Sequence, residues 1–289
     1  MVSAIDLPLD WEAALARVAE ARLTLVLGAA DVGKSSFIHA ALGAGQPRLE
    51  LLDLDPGQKM VGPPGSVSLG NVSPDGLQLG RFVFTGSTSA STLRYILSAG
   101  QALAEEARSR APLIANTSGF VRGLGARLQW LTIEALRPDL IVAIEQQGEL
   151  DPILEKVPAI PVARISKSPL ARRKTASERR RVRQAALDEA LAGAEPLLLP
   201  RETPFVPAPP ALLAGATRPI CALADENGQD MALGVLEAVT SDAVRLLGPR
   251  PPRPIRRVTL GRMWVEPFDD GGWRLLEKLS PAWVQPEAA

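Results

Sequence analysis

Leu23-Thr24-Leu25-Val26-Leu27-Gly28-Ala29-Ala30-Asp31-Val32-Gly33-Lys34-Ser35-Ser36 is the stretch that decides the fold. Leu23 to Leu27 is a compact apolar run, the pattern of a parallel strand buried on both faces. Gly28-x-x-x-x-Gly33-Lys34-Ser35 follows directly, and Phe37, Ile38 and Leu42 then mark a helix. A loop of this kind between strand and helix cradles phosphate. Its glycines let backbone N–H groups turn inward, and the helix N-terminus adds the positive end of its dipole. Lys34 brings a mobile point charge, and the Ser35 hydroxyl suits magnesium. The loop specifies a bound nucleoside triphosphate but not a reaction.

Working outward, apolar runs and helical patterns alternate. Residues 10–22 read as a helix capped by Asp10, with Trp11, Leu15 and Val18 on one face. Strands are expected at Leu49–Leu54, near Phe82–Phe84, at Pro112–Asn116, Leu140–Ile144 and Ala159–Ile165. Helices are expected at 91–110, 124–136 and 175–193. The alternation predicts an α/β fold with a doubly wound parallel sheet. Glycine and proline between 57 and 76 suggest a long loop. Prolines crowd 196–219, where helix and central strand are excluded, and short apolar runs separated by turns follow. The expected organisation is an N-terminal helix (1–22), a phosphate-loop domain (23–195), a proline-rich linker (196–214) and a small β-rich domain (215–289).

The chain has 289 residues with 32 Lys+Arg against 32 Asp+Glu, so its net charge is zero. That balance argues against non-specific coating of nucleic acid and leaves a local basic site open. Cys221 is the single cysteine, so no disulfide partner exists within the chain. His39 is the single histidine, which excludes a multi-histidine zinc site, and it reads as a packing or surface residue. Asn71 and Asn116 begin formal glycosylation sequons. The acidic N-terminus and the lack of a long apolar run lead to the expectation of a soluble cytoplasmic protein with no membrane contact.

Two features bear on chemistry. Asp53-Leu54-Asp55-Pro56-Gly57-Gln58 ends the second strand. Carboxylates there lie beside the phosphate loop, since parallel strands bring their C-terminal ends together. They suit magnesium or a proton acceptor, the two tasks of phosphoryl transfer, and Asp-Pro-Gly is also good turn chemistry. Glu145, ending the Ile141–Ile144 run, is a rival for the metal side. The second feature is a basic run of Arg164, Lys167, Arg172, Arg173, Lys174, Arg179, Arg180, Arg181 and Arg183. Arg179 and Arg183 share a helix face. Such a run suits a lid over a triphosphate, a nucleic-acid backbone contact, or a solvated face. No Asn-Lys-x-Asp guanine signature occurs.

The ordered set resembles the polynucleotide 5′-hydroxyl kinases related to the eukaryotic pre-rRNA and tRNA processing kinases. The matching pieces are the loop Gly28–Ser35 with Asp31-Val32, the acidic motif Asp53–Gln58, and Pro63-Pro64-Gly65-Ser66-Val67-Ser68-Leu69. Asn116-Thr117-Ser118-Gly119-Phe120-Val121-Arg122-Gly123-Leu124-Gly125 is similar to the family's clasp. Pro138-Asp139 and the stretches Gly228–Gly234 and Leu260-Gly261 also fit. The resemblance implies transfer of the γ-phosphate of ATP, with GTP as an alternative donor, to the 5′-hydroxyl of single-stranded RNA or DNA. It implies magnesium, held by Ser35, Asp53 and Gln58. Lys34, Asp55, Arg179 and Arg183 would be catalytic, Asp55 as general base. Gly28, Asp31, Val32, Gly33, Lys34, Ser35, Ser36, Arg172 and Arg173 would hold the nucleotide. Gln58, Thr117, Gly119, Phe120 and Arg122 would hold the acceptor. Phe120 stands where the family usually has tryptophan, and a core position is its alternative reading. A lid is expected at about 164–185. Only about 20 residues precede the first strand, whereas larger eukaryotic members carry an extra N-terminal domain. A catalytically weak ATP-binding scaffold and a small-molecule kinase are the alternative functions.

Overall fold

The structure, a computed structural model, describes residues 8–44, 48–89, 92–157, 159–207, 216–268 and 272–276. The first sheet contains β1 (Leu23–Gly28), β2 (Glu50–Asp53), β3 (Ser66–Ser73), β4 (Gly76–Phe84), β5 (Leu113–Asn116), β6 (Leu140–Glu145) and β7 (Val162–Ser166). Their order is β4-β3-β2-β5-β1-β6-β7. The five strands from β2 to β7 in that order are parallel, and β3 and β4 add an antiparallel hairpin at the edge. The register is anchored at its start by Asp139, whose carboxylate accepts the Leu23 N–H at 2.8 Å.

Alternation along β1 sorts the core into two layers. Leu23, Leu25 and Leu27 face α3 (Leu93–Arg108), α4 (Leu124–Leu136) and α5 (Asp151–Leu154). Val26 faces α1 (Leu9–Glu20) and α2 (Lys34–Gly43), where Trp11 and Phe37 meet edge to face at 5.4 Å. Helices on both faces leave only the strand ends open. The connection leaves β1 toward β2 on one side and later returns to β6 on the other. The crevice at the C-terminal ends of β1 and β5 is therefore where a ligand fits such a sheet.

The second sheet contains β8 (Glu195–Pro200), β9 (Phe205–Val206), β10 (Arg218–Ala224), β11 (Asp230–Val239), β12 (Ala243–Gly248), β13 (Arg257–Pro267) and β14 (Trp273–Leu276). It runs β14-β13-β10-β11-β12-β8, and β9 pairs with β13. It docks on the β3–β4 hairpin without room to spare. A Cβ on Gly261 would lie 2.6 Å from the Phe84 ring, and one on Gly65 would lie 2.2 Å from the Met263 sulfur. Phe82, Phe84 and Leu187 share an apolar cluster with Ile220, Val235 and Met263. Leu187 belongs to α6 (Ala176–Ala190), the last helix of the chain order before this sheet.

Three expectations are corrected. Asp10 does not cap α1. The helix begins one residue earlier, after Pro8, and the Asp10 carboxylate instead accepts the Ser166 N–H at the end of β7. Residues 57–76 are not all loop, because Ser66–Ser73 pairs antiparallel with β2 despite its glycine. The stretch expected as a linker begins with a strand, β8, whose prolines sit on an edge where a missing N–H is harmless. Residues 1–7 and 208–215, and most of the stretch after 268, lie outside the described residues. Among the described residues no helix is long and apolar enough to cross a membrane.

Candidate active site

β1 ends at Gly28, where a Cβ would strike the Ile144 carbonyl at 2.8 Å, so the turn out of the sheet needs glycine. Asp31 and Gly33 both take positive φ, 63° and 108°. Aspartate tolerates that conformation better than most residues. The two left-handed residues fold the loop back over its own helix, and Lys34 is drawn inside. Its ammonium donates to the carbonyls of Gly28 and Ala29, each at 2.8 Å. Burial lowers its pKa to about 8, against the opposing pull of Asp55 and Asp31.

The loop forms one wall of a cleft of about 270 Å³. Ala30, Asp31, Gly33, Lys34, Ser35 and Ser36 line it from the loop, Asp55, Gln58 and Lys59 from the end of β2, and Thr117 and Gly119 from the end of β5. Leu170, Arg172, Lys174, Arg179 and Val182 close it from the segment after β7. That closing segment is fastened to the loop. Ser168 N–H donates to the Val32 carbonyl at 3.1 Å. The Lys174 N–H donates to the Asp31 carboxylate at 3.1 Å, and Arg179 forms an ion pair with the same group. The helix behind it starts from a full capping box between Thr175 and Glu178. Glu178 falls to about 2 because Arg172 hydrogen-bonds it and the Thr175 N–H adds to this.

The two aspartates of the acidic motif part company. Asp53 is wholly buried and its carboxylate is saturated. It accepts from Asn116 Nδ2 at 2.9 Å and from the Met60 N–H at 2.7 Å, and it pairs with Lys59 at 3.1 Å. It does not line the cleft, and its contacts are those of an anchor for the turn after β2. Asp55 does line the cleft, and its Oδ1 is oriented by the N–H groups of Gly57 and Gln58 at 2.9 and 3.0 Å. Gln58 Nε2 donates to the Arg179 carbonyl at 3.2 Å, while its Oε1 is buried without a partner. Glu145 is also turned away. It pairs with Arg164 and accepts the Leu150 N–H at 3.1 Å. Arg164 accordingly belongs to β7 rather than to a lid.

The remaining expected residues divide. Val32 contributes its backbone, its side chain being in the core. Arg173 is exposed and off the cleft wall, where Lys174 stands instead. Arg183 also lies off the wall, half-buried and within the field of Asp55. Burial first, and Arg179 and Arg180 next, depress its pKa. Thr117 is in the cleft, but its hydroxyl donates to the Val26 carbonyl at 2.8 Å. His39 is exposed on α2 and does not line the cleft.

The clasp sits directly on the phosphate loop. A Cβ on Gly119 would lie 2.5 Å from both Cα and N of Ala30. Gly119 is also where the cleft meets a second groove of about 600 Å³, lined by Ala29, Phe120, Arg122, Gln146, Gln147 and Glu149 among others. Phe120 is 49% exposed there, which removes its core reading. Sequence reasoning missed the residues that hold this region. Buried Gln129 donates to the carbonyls of Ser118 and Phe120 at 3.1 and 3.3 Å. Glu149 accepts the Gln146 and Gln147 N–H groups and fixes their turn. The only signal for Gln129 is a polar residue on the apolar side of an amphipathic helix, flanked by Leu128, Thr132 and Ile133.

A family model described as "mRNA cleavage and polyadenylation factor CLP1 P-loop" matches residues 28–192. A polyribonucleotide 5′-hydroxyl-kinase of Pyrococcus furiosus is 31% identical over 62% of this chain and 54% of its own length. A polynucleotide 5′-hydroxyl-kinase of Gibberella zeae is 30% identical over 43% of this chain and 21% of its own. The chain thus spans about half the length of the archaeal relative. In the solved wild-type Clp1p–Pcf11p complex one chain superposes with a TM-score of 0.68 at 15% identity, covering 87% of this chain and 78% of that one. This likeness concerns the fold. The matched region runs from the phosphate loop through the closing helix, more than half of the sequence, and the chain belongs to the CLP1 P-loop family.

Proposed function

We propose that this protein is an ATP-dependent polynucleotide 5′-hydroxyl kinase. The observation that carries the reading is the convergence, in one cleft, of Lys34, Asp55 and Arg179 with a clasp pressed onto the phosphate loop at Gly119. Triphosphate lies against the loop N–H groups and Lys34. The oxygen of the acceptor's 5′-hydroxyl attacks the γ-phosphorus, its proton passes to Asp55, and the bond to the β-phosphate oxygen breaks to release ADP. Arg179, released from Asp31, and Arg183 behind it offset the charge on the transferring group.

Magnesium fits the donor set, since the Ser35 hydroxyl and the orphaned Gln58 Oε1 are hard oxygen ligands beside the phosphates. When bound, the ion would neutralise phosphate charge. Among the described residues there is no cluster of three or more His, Cys, Asp or Glu for a soft or tightly chelated metal.

The acceptor's terminal nucleotide occupies the second groove. Phe120 offers a stacking face worth about 1–3 kcal/mol, and Gln146 and Gln147 offer amides of the kind that read base edges. The test is transfer of labelled γ-phosphate from ATP to 5′-hydroxyl RNA and DNA oligonucleotides, single- and double-stranded, with free nucleosides and GTP as controls. Labelled oligonucleotide supports the reading. Nucleosides outcompeting oligonucleotides, or ATP bound without any transfer, would overturn it.

A further inference from the structure

α6 carries the closing arginines at one end and meets the second sheet at the other. Its first turn is tied to the cleft by the Asp31–Arg179 ion pair and by the Gln58 bond to the Arg179 carbonyl. One residue beyond Arg183, the contacts change partner. Gln184 Nε2 donates to the Trp273 carbonyl at 2.7 Å, and Gln184 Oε1 accepts the Leu275 N–H at 3.0 Å. Both groups belong to β14, the outermost strand of the second sheet. A carbonyl and an N–H two residues apart on one strand edge are what a neighbouring strand would bind. The side-chain amide of Gln184 substitutes for that neighbour's peptide group. Leu187, three residues on, is fully buried among Phe82, Ile220 and Met263. Gln184 Nε2 also reaches Asp188 Oδ1 at 2.7 Å, which holds the amide in the orientation that faces β14.

We infer that Gln184 is a positioning residue: through β14 it seats α6 on the second sheet, and so sets where Arg179 stands on the cleft wall and Arg183 behind it. The inference rests on the kinase reading only for its rate measurement. Helix α6 is a rigid rod, so a shift at Gln184 moves Arg183, one residue away, and Arg179, a little over one turn away, by a comparable distance. The second sheet thereby acts on the reaction without lining the cleft.

The test uses the full chain with Gln184→Met, which keeps the side chain's length and apolar contact but removes both bonds to β14. Single-turnover transfer should fall about tenfold or more, as misplacement of a catalytic group by a fraction of an ångström allows. The KM for ATP should stay within about twofold, because the loop contacts are untouched. In an Arg183→Ala background the same substitution should lose most of its effect. Equal rates for Gln184→Met and wild type, or full additivity with Arg183→Ala, would overturn the inference. A second readout needs no turnover: ATP should slow tryptic cleavage of the 164–185 segment in wild type and do so markedly less in Gln184→Met. If wild type transfers no phosphate but shows this protection difference, the kinase reading fails and the seat stands. Identical protection in both proteins sinks the seat alone.

Discussion

Asp31 on the phosphate loop and Arg179 on α6 form an ion pair across the mouth of the cleft. The loop therefore presents the closing helix with an anion of its own. An arriving triphosphate competes with Asp31 for the same guanidinium, and the Lys174 N–H is committed to the same carboxylate. Removing the charge should loosen the segment only when the cleft is empty. We expect Asp31→Asn, which keeps a side chain suited to positive φ, to speed tryptic cleavage at the Arg172–Lys174 stretch without nucleotide. ATP should restore protection. Cleavage at the wild-type rate in the empty protein would show that the pair does not hold the lid.

Lys34 gives a pH dependence with a definite sign. Its pKa in the folded protein, about 8, is below the ordinary 10.5. Between those values the unfolded chain binds more protons, so this group makes the empty protein more stable as pH rises through that window. At neutral pH the buried ammonium disfavours folding by on the order of 3 kcal/mol. Lys34→Met should abolish phosphate transfer while leaving the melting temperature of the empty protein equal or higher, and a lower one would contradict the burial argument.

The same residue predicts proton uptake. Triphosphate favours the ammonium form, so ATP binding at pH 9 should draw in a proton and weaken as pH climbs further. Calorimetry in two buffers of different ionisation enthalpy would measure it. Identical heats in both would mean that Lys34 is already charged.

At Gly119 the clasp lies against Cα, N and Cβ of Ala30. An alanine there has no flexible atom to displace, so Gly119→Ala should move Ala30 and lower turnover by about a hundredfold in a protein with an unchanged far-ultraviolet spectrum. Wild-type turnover would show that loop and clasp move independently.

Phe120 is a surface aromatic held in place by Gln129. Phe120→Ala should raise the KM for a 5′-hydroxyl oligonucleotide about tenfold or more, the loss of one stacking contact, with the KM for ATP unchanged. Phe120→Trp should retain activity, and Gln129→Leu should mimic the alanine variant through the loop. A rise confined to the ATP KM would assign the groove to the donor's base.

Much of the architecture was legible because β1, β5 and β6 are buried on both faces and leave uninterrupted apolar runs. What was illegible depended on partners from distant elements. A two-residue spacing cannot tell Asp53 from Asp55. Lys59 and Asn116 decide between them, and they arrive from a loop and from the neighbouring strand. Helical spacing put Arg179 and Arg183 on one face, but of the two only Arg179 reaches the cleft wall. The basic run taken as a whole also swept in Arg164, whose partner Glu145 lies on the adjacent strand of the sheet. Strand β3 hid among glycines and prolines because its pairing with β2, not its own propensity, makes it a strand.

The prolines of β8 have a consequence for self-association. Pro196 and Pro200 pair with Leu247 and Ala243 of β12, and neither has an N–H to give. Leu198 between them is 71% exposed, the kind of residue that invites a foreign strand. With its flanking donors missing, that border of the sheet offers an incoming strand an incomplete ladder. At the opposite border the Gln184 amide occupies β14. The second sheet is thus stoppered at both rims, one by absent hydrogens and one by a borrowed peptide group. Loosening α6 would uncover a site for unwanted polymerisation as well as misplace two arginines.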